Sequence, residues 1–323
     1  MQLARRRFLH LAAGTLAAAS FPQLALALDY PIRPVHLLVG FPPGLAPDIV
    51  ARVIAQSLSQ QLGQNVIVDN HPGAGSNIAA DAVVHAPANG YTLLYVTLGN
   101  AINASFYQHL DFDITRDIAP VAGTARSDSV LAVSLSVPAQ TLPDFIAYAK
   151  ANPGKINFAS AGVGTAPHLA GELFKQMAGV DMVHVPYSSS YMPDLLAGRV
   201  QATFAPIATS IANIKAGKLR ALAVTGTTPS AVLPNVPTVS QYVKGYEASV
   251  WHGVGAPTGT SPATISKLNR EINAVIADPS VQAHLAGIGA VPMPMTPGEF
   301  GKFIADEVKK WASVVKLAGL KPA

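Results

Sequence analysis

Two loops of small residues carry the clearest chemical signal in this sequence. The first covers residues 41–48 and reads FPPGLAPD, and the second covers residues 160–165 and reads SAGVGT. Glycine allows a backbone to approach a ligand closely, and each loop runs into a segment whose apolar residues recur at helical spacing. The first turn of a helix presents unpaired amides, which favour anions. The sequence therefore predicts that the two loops bind one small acidic molecule.

Each loop is positioned by a strand before it and a helix after it. Val35–Val39 is a short apolar run, and apolar positions from Ile49 onward have helical spacing. Asp48 stands at the predicted N-cap of that helix. Residues 157–159, as a strand, and the helical segment from Ala166 repeat the arrangement around the second loop. Loops of this kind lie at the carboxyl ends of strands, where α/β sheets bind ligands.

Enzyme and metal-site signatures are missing from the sequence. Residues 73–76 lack the G-x-S-x-G spacing of a nucleophile elbow, and residues 162–164 lack the third glycine of a dinucleotide fingerprint. There is no H-E-x-x-H motif and no cysteine. We therefore expect no catalytic residue, no metal and no cofactor. The alternative is an exported serine hydrolase that uses Ser160 or Ser76 with His168, which requires an acid to orient the histidine.

Composition limits the class of protein and its partners. A chain of 323 residues favours two domains, and 50% hydrophobic residues are enough for two cores. The formal net charge is +4, but removing the three arginines among the first 27 residues reduces it to +1. Phosphate binding needs a basic stripe, so nucleic acid is excluded as a partner.

The first 27 residues have the pattern of an export signal. Arg5, Arg6 and Arg7 precede an apolar stretch over residues 9–19, and Ala25-Leu26-Ala27 supplies a cleavage pattern of small residues. The arginine pair fits a twin-arginine signal, and a general secretory signal fits equally well. Either one predicts cleavage near Ala27 and a periplasmic location.

Strands and helices alternate along the remaining chain, which predicts an α/β fold with parallel sheets. The strand at residues 91–97 is expected to end at Gly99-Asn100. Further strands are predicted at residues 65–69, 130–137, 182–186, 200–204, 219–225 and 250–256. Helices are predicted after Ser76 through about His85, at 141–151, after Tyr191 to near Gly198, at 207–216, at 261–276 and from 296 to before 319. Domain 1 is predicted to combine residues 28–127 with 248–323, and domain 2 to cover residues 128–247. Two connecting strands would then form a hinge beside the ligand cleft.

An ordered set of short motifs resembles one family over essentially the whole mature chain. These motifs are Tyr30-Pro31 with Arg33-Pro34, Phe41-Pro42-Pro43-Gly44 with Asp48, Asn70 with Pro72-Gly73-Ala74-Gly75, Ala86-Pro87 with Gly90-Tyr91-Thr92-Leu93, Ser160-Ala161-Gly162 with Gly164, His168-Leu169-Ala170-Gly171-Glu172, His184-Val185-Pro186-Tyr187, Ile214-Lys215-Ala216-Gly217, Leu233-Pro234 with Val236-Pro237-Thr238, and Lys310-Trp311. The chain is similar to the substrate-binding proteins of tripartite tricarboxylate transport systems, the Bug group of periplasmic receptors.

The resemblance implies a bilobed, periplasmic-binding-protein-like fold of type II, a Venus flytrap, without catalytic activity. It implies that a small organic carboxylate is held between the two loops, largely by backbone amides, small hydroxyls and water. It also implies delivery to a membrane permease with a large and a small subunit, and we expect a monomer. The predicted site comprises Phe41, Pro43, Gly44, Leu45, Ala46, Asp48, Ser160, Ala161, Gly162, Gly164, Thr165, His168, Tyr187, Ser188 and Ala205.

Four of these residues keep two interpretations each. Gly162 and Gly164 either make a tight turn or bind the ligand. Asp48 either orders water against the ligand or caps its helix, and His168 either contacts the ligand or caps backbone groups in the first turn. His184 and His252 are predicted to be structural.

The sequence departs from the family pattern at four places. Leu45 replaces a second glycine, Pro47 replaces a small hydroxyl residue, Ser188-Ser189 replaces Lys-Gly, and Ala205-Pro206 replaces Asp-Asn. An acid near residue 205 would suit an ammonium group, so its loss argues against an amino-acid ligand. We predict a carboxylate with an uncharged, partly apolar body that packs near Leu45, Phe41 and Tyr191.

Overall fold

A computed structural model of the chain describes residues 30–107, 109–187 and 190–319. The predicted export signal, its cleavage near Ala27 and the predicted site residue Ser188 lie outside the described residues. The described residues from Arg33 onward form one compact unit, and both sheets lie within it. In the described part of the chain, no helix combines the length and the hydrophobicity needed to cross a bilayer.

The strands fall into two separate sheets. In chain order they are β1 (Val35–Val39), β2 (Val66–Asn70), β3 (Thr92–Thr97), β4 (Ile118–Ser127), β5 (Ser129–Ser134), β6 (Asn157–Ser160), β7 (Val183–Pro186), β8 (Ala202–Pro206), β9 (Leu219–Val224), β10 (Val250–Pro257) and β11 (Ala290–Pro292). The first sheet has the order β11-β4-β10-β3-β1-β2, and the second has the order β7-β6-β8-β5-β9.

Both sheets are mixed, so the expectation of parallel sheets is wrong in part. β1 pairs in parallel with β2 and β3, and β6 pairs in parallel with β7 and β8. β10 runs antiparallel to β3 and β4, and β5 runs antiparallel to β8 and β9. β11 also runs antiparallel to β4. Strands β5 and β10 each follow a passage of the chain between the sheets, and neither is joined to a neighbour in its sheet by a crossover helix.

The helices surround the sheets. They are α1 (Ala46–Leu62), α2 (Asn77–Val84), α3 (Leu98–Phe106), α4 (Leu142–Ala151), α5 (Ala166–Ala178), α6 (Met192–Leu196), α7 (Ile207–Lys215), α8 (Pro262–Ala277), α9 (Pro279–Gly287) and α10 (Pro297–Leu317). The predicted starts of α4, α8 and α10 are confirmed, since the hydroxyls of Thr141, Ser261 and Thr296 each accept a first-turn amide.

Four elements were not predicted, namely α3, α9, β4 and β11. The expected end at Gly99-Asn100 is wrong, because both residues lie in the first turn of α3. The Asn100 side chain accepts the backbone amide of Thr97 at 2.9 Å, which stabilises the start of that helix.

The chain passes between the sheets at two places. It leaves the first sheet between β4 and β5 at Asp128, and it returns between β9 and β10. The two passages touch, because the Ser249 hydroxyl donates to the Asp128 carboxylate at 3.1 Å. Gly226 lies directly against that carboxylate, and a Cβ at this position would lie 2.3 Å from its oxygens.

A buried ionic network ties α10 to the returning strand. The Glu307 carboxylate accepts the indole N–H of Trp251 at 2.8 Å and that of Trp311 at 2.9 Å. Its other oxygen lies 2.6 Å from the Lys310 ammonium, which is also 2.6 Å from Glu247. The network joins the C-terminal helix to β10 and to the segment just before it.

Candidate functional site

The first loop is held in place by Asp48. The prediction that this residue is the N-cap of α1 is wrong, because the cap is Leu45 and Asp48 lies in the first turn. Proline is favoured in the first helical turn, and Pro47 starts the helix earlier than the apolar spacing alone predicted. The Asp48 carboxylate instead folds back and accepts the amide of Gly44 at 2.8 Å.

The Asp48 carboxylate is ionised although it is buried. Burial raises its pKa, but hydrogen bonds from Arg52, Gly44 and Asn70 outweigh this effect and leave the pKa below its usual value. The Asn70 amide donates to Asp48 and to the carbonyl of Phe41, both at 2.9 Å. These bonds fix the backbone of the loop, in which Gly44 has the left-handed φ of +83°.

The second loop is closed by its own hydroxyl groups. The Ser160 hydroxyl donates to the carbonyl of Gly162 at 2.9 Å, and the Thr165 hydroxyl donates to the same carbonyl at 2.7 Å. Gly162 and Gly164 have positive φ angles of +131° and +78°. Most other residues are strained at such angles, so both glycines are needed for this conformation.

Two stacked histidines lie beneath the second loop. The rings of His168 and His184 are 3.6 Å apart between centroids, and the amide of Gly164 donates to Nδ1 of His168 at 3.0 Å. Burial lowers the pKa of His168 to about 3 and that of His184 to about 4, with further lowering from neighbouring positive charge. Both rings are therefore neutral at physiological pH. Nε2 of His184 is hydrogen bonded to Ser160 Oγ at 2.6 Å.

One cavity of about 380 Å³ lies at the N-terminal ends of α1, α3 and α5. Its described lining is Phe41, Pro47, Gly75, Thr97, Leu98, Gly99, Ile102, Asn103, Phe106, Tyr107, Val163, Gly164, Thr165, Ala166, Val250 and His252. Helix α5 begins there at Thr165 without a side-chain hydrogen bond to its first amides. Helix α1 is uncapped in the same way, but the residue of its first turn that lines the cavity is Pro47, which has no N–H. Such uncapped amides are free to bind an anion.

The described lining contains no Asp, Glu, Lys or Arg. His252 is buried against the stacked ring of Tyr95, and burial lowers its pKa to about 4, so it is also neutral. An anion in this cavity would therefore be held by amides and hydroxyls rather than by a positive side chain.

The predicted site residues divide between the cavity and its surroundings. Phe41, Gly164 and Thr165 line the cavity. Pro43, Gly44, Leu45, Ala46, Asp48, Ser160, Ala161, Gly162 and His168 belong to the same two loops or their first helical turns without lining it. Leu45 is 49% exposed.

Two further predicted residues lie away from the described lining. Ala205 is fully buried in β8, and the Tyr187 hydroxyl donates to Asp194 at 2.9 Å. Tyr191, predicted to pack on the ligand body, packs edge to face on Tyr187 and is not among the residues that line the cavity.

Sequence reasoning missed the wall formed by α3. Leu98, Ile102 and Phe106 recur at intervals of four residues, which places them on one helical face. That spacing, after the Thr97 and Asn100 capping pair, was the signal that could have revealed the wall. Val250 and His252 carry no comparable local signal, because β10 reaches the cavity only through the fold.

The geometry does not support the serine hydrolase alternative. Ser160 and Ser76 are both fully buried. Ser160 is hydrogen bonded to His184 rather than to His168, and the Ser76 hydroxyl has no partner among the described residues. Among the described residues, no group of three or more His, Cys, Asp or Glu side chains is arranged to hold a metal ion.

Two mixed sheets joined by two passages, with a neutral cavity at helix N-termini, are the features of a periplasmic solute-binding protein. The sequence model of the tripartite tricarboxylate transporter family receptor matches residues 50–320. The chain belongs to this family. Protein BugT of Bordetella pertussis is 36% identical over 313 residues, which cover 95% of each chain.

Solved structures agree with this assignment. Rpa4515 of R. palustris with adipate is 36% identical, has a TM-score of 0.77, and the match covers 91% of this chain and 100% of that one. MatC of Rhodopseudomonas palustris with bound malate is 27% identical, has a TM-score of 0.71, and the match covers 88% of this chain and 100% of that one. The predicted family and fold class are confirmed.

Proposed function

We propose that this protein is a periplasmic receptor that binds a small carboxylate in the cavity and delivers it to a membrane transporter of the tripartite tricarboxylate type. Membership of the receptor family supports the role. Two similar proteins have structures with adipate and with malate, both of which are carboxylates.

The convergence of uncapped helix starts on one cavity carries the proposal. The first turn of α5 offers amides to the carboxylate, and Pro47 brings the start of α1 to the same cavity without an N–H of its own. Asp48 and the histidine pair support the two loops. The Asp48 carboxylate accepts the amide of Gly44, and Nδ1 of His168 accepts the amide of Gly164, which holds each loop in its conformation. The ligand docks on the first loop, and the second loop then closes over it.

Closure requires two domains and a pivot between them. We assign residues 28–127 with 248–323 to domain 1 and residues 128–247 to domain 2. The sheet membership of the strands supports this division. The hydrogen bond between Asp128 and Ser249 lies where the two passages meet, which makes this pair the pivot.

The remaining assignments follow from the same role. The receptor acts as a monomer without catalytic activity, and its permease has one large and one small subunit. The first 27 residues direct export by the twin-arginine or the general secretory route and are removed near Ala27.

Calorimetric titration of the mature chain from Leu28 with aliphatic, hydroxylated and aromatic carboxylates tests the function. A ligand at 100 times its dissociation constant should also stabilise the fold by about 2.7 kcal/mol. No binding by any carboxylate, in protein freed of carried-over ligand, would refute the proposal.

A pair of glycine variants tests the location of the site. Gly164→Ala adds a methyl group 3.0 Å from the Phe106 ring and strains the loop, so it should weaken binding at least tenfold. Gly179→Ala is the control, because Gly179 ends the same helix with a φ of +63° and open space around it. It should cost about 1 kcal/mol of stability and leave affinity unchanged. Equal affinities for the two variants would contradict the assigned site.

A further inference from the structure

His252 is a buried polar side chain that lines the cavity without a hydrogen-bond partner. The residue is only 2% exposed and reaches the cavity from β10. Its ring stacks on Tyr95 at 5.5 Å between centroids, but its two nitrogens make no hydrogen bond to any other residue that the structure describes. Buried polar groups in folded proteins are normally paired. A ligand in the cavity would supply the missing partner.

The position of His252 in the sheet directs its ring to the cavity. Val250 and His252 are two residues apart on β10 and therefore on one face of the strand, and both line the cavity. Trp251 lies between them and points to the other face, where its indole donates to Glu307. In the register of the sheet, His252 is opposite Thr97, the residue directly before α3. The ring is therefore placed beside the first turn of α3.

The first turn of α3 adds unpaired amides next to this ring. Leu98 and Gly99 are the first two residues of the helix, and both line the cavity. Their N–H groups have no acceptor within the helix, and a helix start favours negative charge. The backbone N–H of Thr97, in contrast, is used, since it donates to Asn100 at 2.9 Å. The ring of His252 and the first turn of α3 can together hold an anionic group.

His252 contributes a neutral donor to this group. Burial lowers the pKa of His252 to about 4, so the ring is uncharged at physiological pH. A neutral imidazole carries a hydrogen on one nitrogen and accepts at the other. A carboxylate oxygen that accepts this hydrogen would satisfy the buried ring.

This end of the cavity is separated from the start of α5 by the length of α3. A Cβ built on Gly164 would lie 3.0 Å from the Phe106 ring, so the start of α5 lies against the last residue of α3. Leu98 begins α3, eight residues before Phe106, and eight residues extend about 12 Å along a helix. Ile102 lines the cavity between them. The cavity thus has hydrogen-bond donors at both ends and an apolar wall between them.

We propose that His252 is a specificity-determining residue of this receptor, which together with the first turn of α3 binds a second carboxylate of the ligand while the start of α5 binds the first. This inference rests on the proposed function. The ligand is then a dicarboxylate with an apolar middle, and not the carboxylate with an uncharged body that the sequence alone predicted.

Matched acids that differ only in the second carboxylate test the proposal. Calorimetric titration of the mature chain compares succinate with butanoate, glutarate with pentanoate, and adipate with hexanoate. At the chain length that binds best, the dicarboxylate should bind at least about tenfold more tightly, because hydrogen bonds to a charged group are the stronger ones. Equal or tighter binding of the monocarboxylate would overturn the proposal.

Replacing His252 by phenylalanine tests the residue itself. His252→Phe removes both nitrogens and keeps an aromatic ring on Tyr95. It should weaken binding of the dicarboxylate at least about tenfold and change the affinity for the matched monocarboxylate less than about threefold. A merely structural role of His252 would weaken the binding of both acids alike, and that result would overturn the proposal.

Tyr95→Phe is the control for this variant. It removes a buried hydroxyl that lies 3.2 Å from Thr124 Oγ1 and keeps the ring that stacks on His252. Its affinities for both acids should equal those of the wild type. Circular dichroism spectra establish that each variant is folded.

A measurement on the wild-type protein makes the test independent of how well the variant folds. The imidazole nitrogens of His252 are followed by NMR in protein labelled with nitrogen-15 histidine, and their signals are assigned with His252→Gln. Saturation with the dicarboxylate should shift these signals more than saturation with the matched monocarboxylate. Signals that the dicarboxylate leaves unshifted would overturn the proposal.

Failure of this inference and failure of the proposed function are distinguishable. If monocarboxylates bind as tightly as dicarboxylates, or if His252→Phe weakens the binding of both alike, the role of His252 is wrong and the receptor function stands. If no carboxylate binds, the receptor function itself fails.

Discussion

Replacing Glu307 by glutamine should destabilise the protein more than any surface substitution on α10. The Glu307 side chain is 6% exposed, and its two oxygens accept both indole N–H groups and the Lys310 ammonium. Glutamine keeps the shape but has only one acceptor oxygen, so at least one buried donor loses its partner. It also removes the negative charge that faces Lys310.

The expected cost follows from these lost contacts. A buried donor without a partner costs about 1–3 kcal/mol, and breaking a buried ion pair costs about 3–5 kcal/mol. Lys310 keeps its second partner, Glu247, at 2.6 Å, which reduces the second cost. We therefore predict that Glu307→Gln lowers the free energy of unfolding by about 2–4 kcal/mol.

Urea unfolding followed by tryptophan fluorescence measures this change, because both indoles are in the network. Asp306→Asn is the matched control on the same helix, since Asp306 is 53% exposed and pairs only with Lys302 among the described contacts. It should cost no more than about 0.5 kcal/mol. Equal unfolding free energies for Glu307→Gln and Asp306→Asn would refute the reasoning.

Two further predictions concern pH and salt. Because their pKa values are depressed, His168 and His184 stay neutral in the folded state, whereas in the unfolded state they take up protons below about pH 6.5. The contribution of the pair to the free energy of unfolding is therefore complete above that pH and falls as the pH drops toward 4. His184→Gln should make the fall of the unfolding free energy with pH shallower by up to about 1.4 kcal/mol per pH unit. Urea unfolding at pH 7, 6 and 5 measures this slope, and an unchanged slope would contradict the assignment of two neutral, stacked histidines. The described cavity lining has no cationic side chain. Raising NaCl from about 50 to 500 mM should therefore change the dissociation constant of the ligand less than about threefold. A steep loss of affinity would indicate that a positively charged side chain contacts the ligand.

Local signals predicted much of the fold. Strand β1, the two small-residue loops and the capped starts of α4, α8 and α10 depend on neighbours within four residues, and all are present. Asp48 was misplaced as an N-cap because Leu45 and Pro47 start the helix early. Helix α3 was missed because Gly99-Asn100 reads locally as the end of a strand.

The candidate site was less accessible from the sequence than the fold. The two loops were identified because glycine and helix-start patterns are local. The apolar wall combines α3 with Val250 and His252 of β10, which are about 150 residues away in sequence. The pairing of Ser160 with His184 likewise depends on the register of β6 against β7. Such contacts are set by tertiary structure, and a single sequence carries no local sign of them.

A crystal structure of the mature chain grown with hexanoate tests the central claim most directly. The account predicts carboxylate oxygens within about 3.2 Å of backbone amides at the start of α5, with the hydrocarbon chain inside the cavity. A carboxylate bound instead to a lysine or arginine outside the cavity would contradict it.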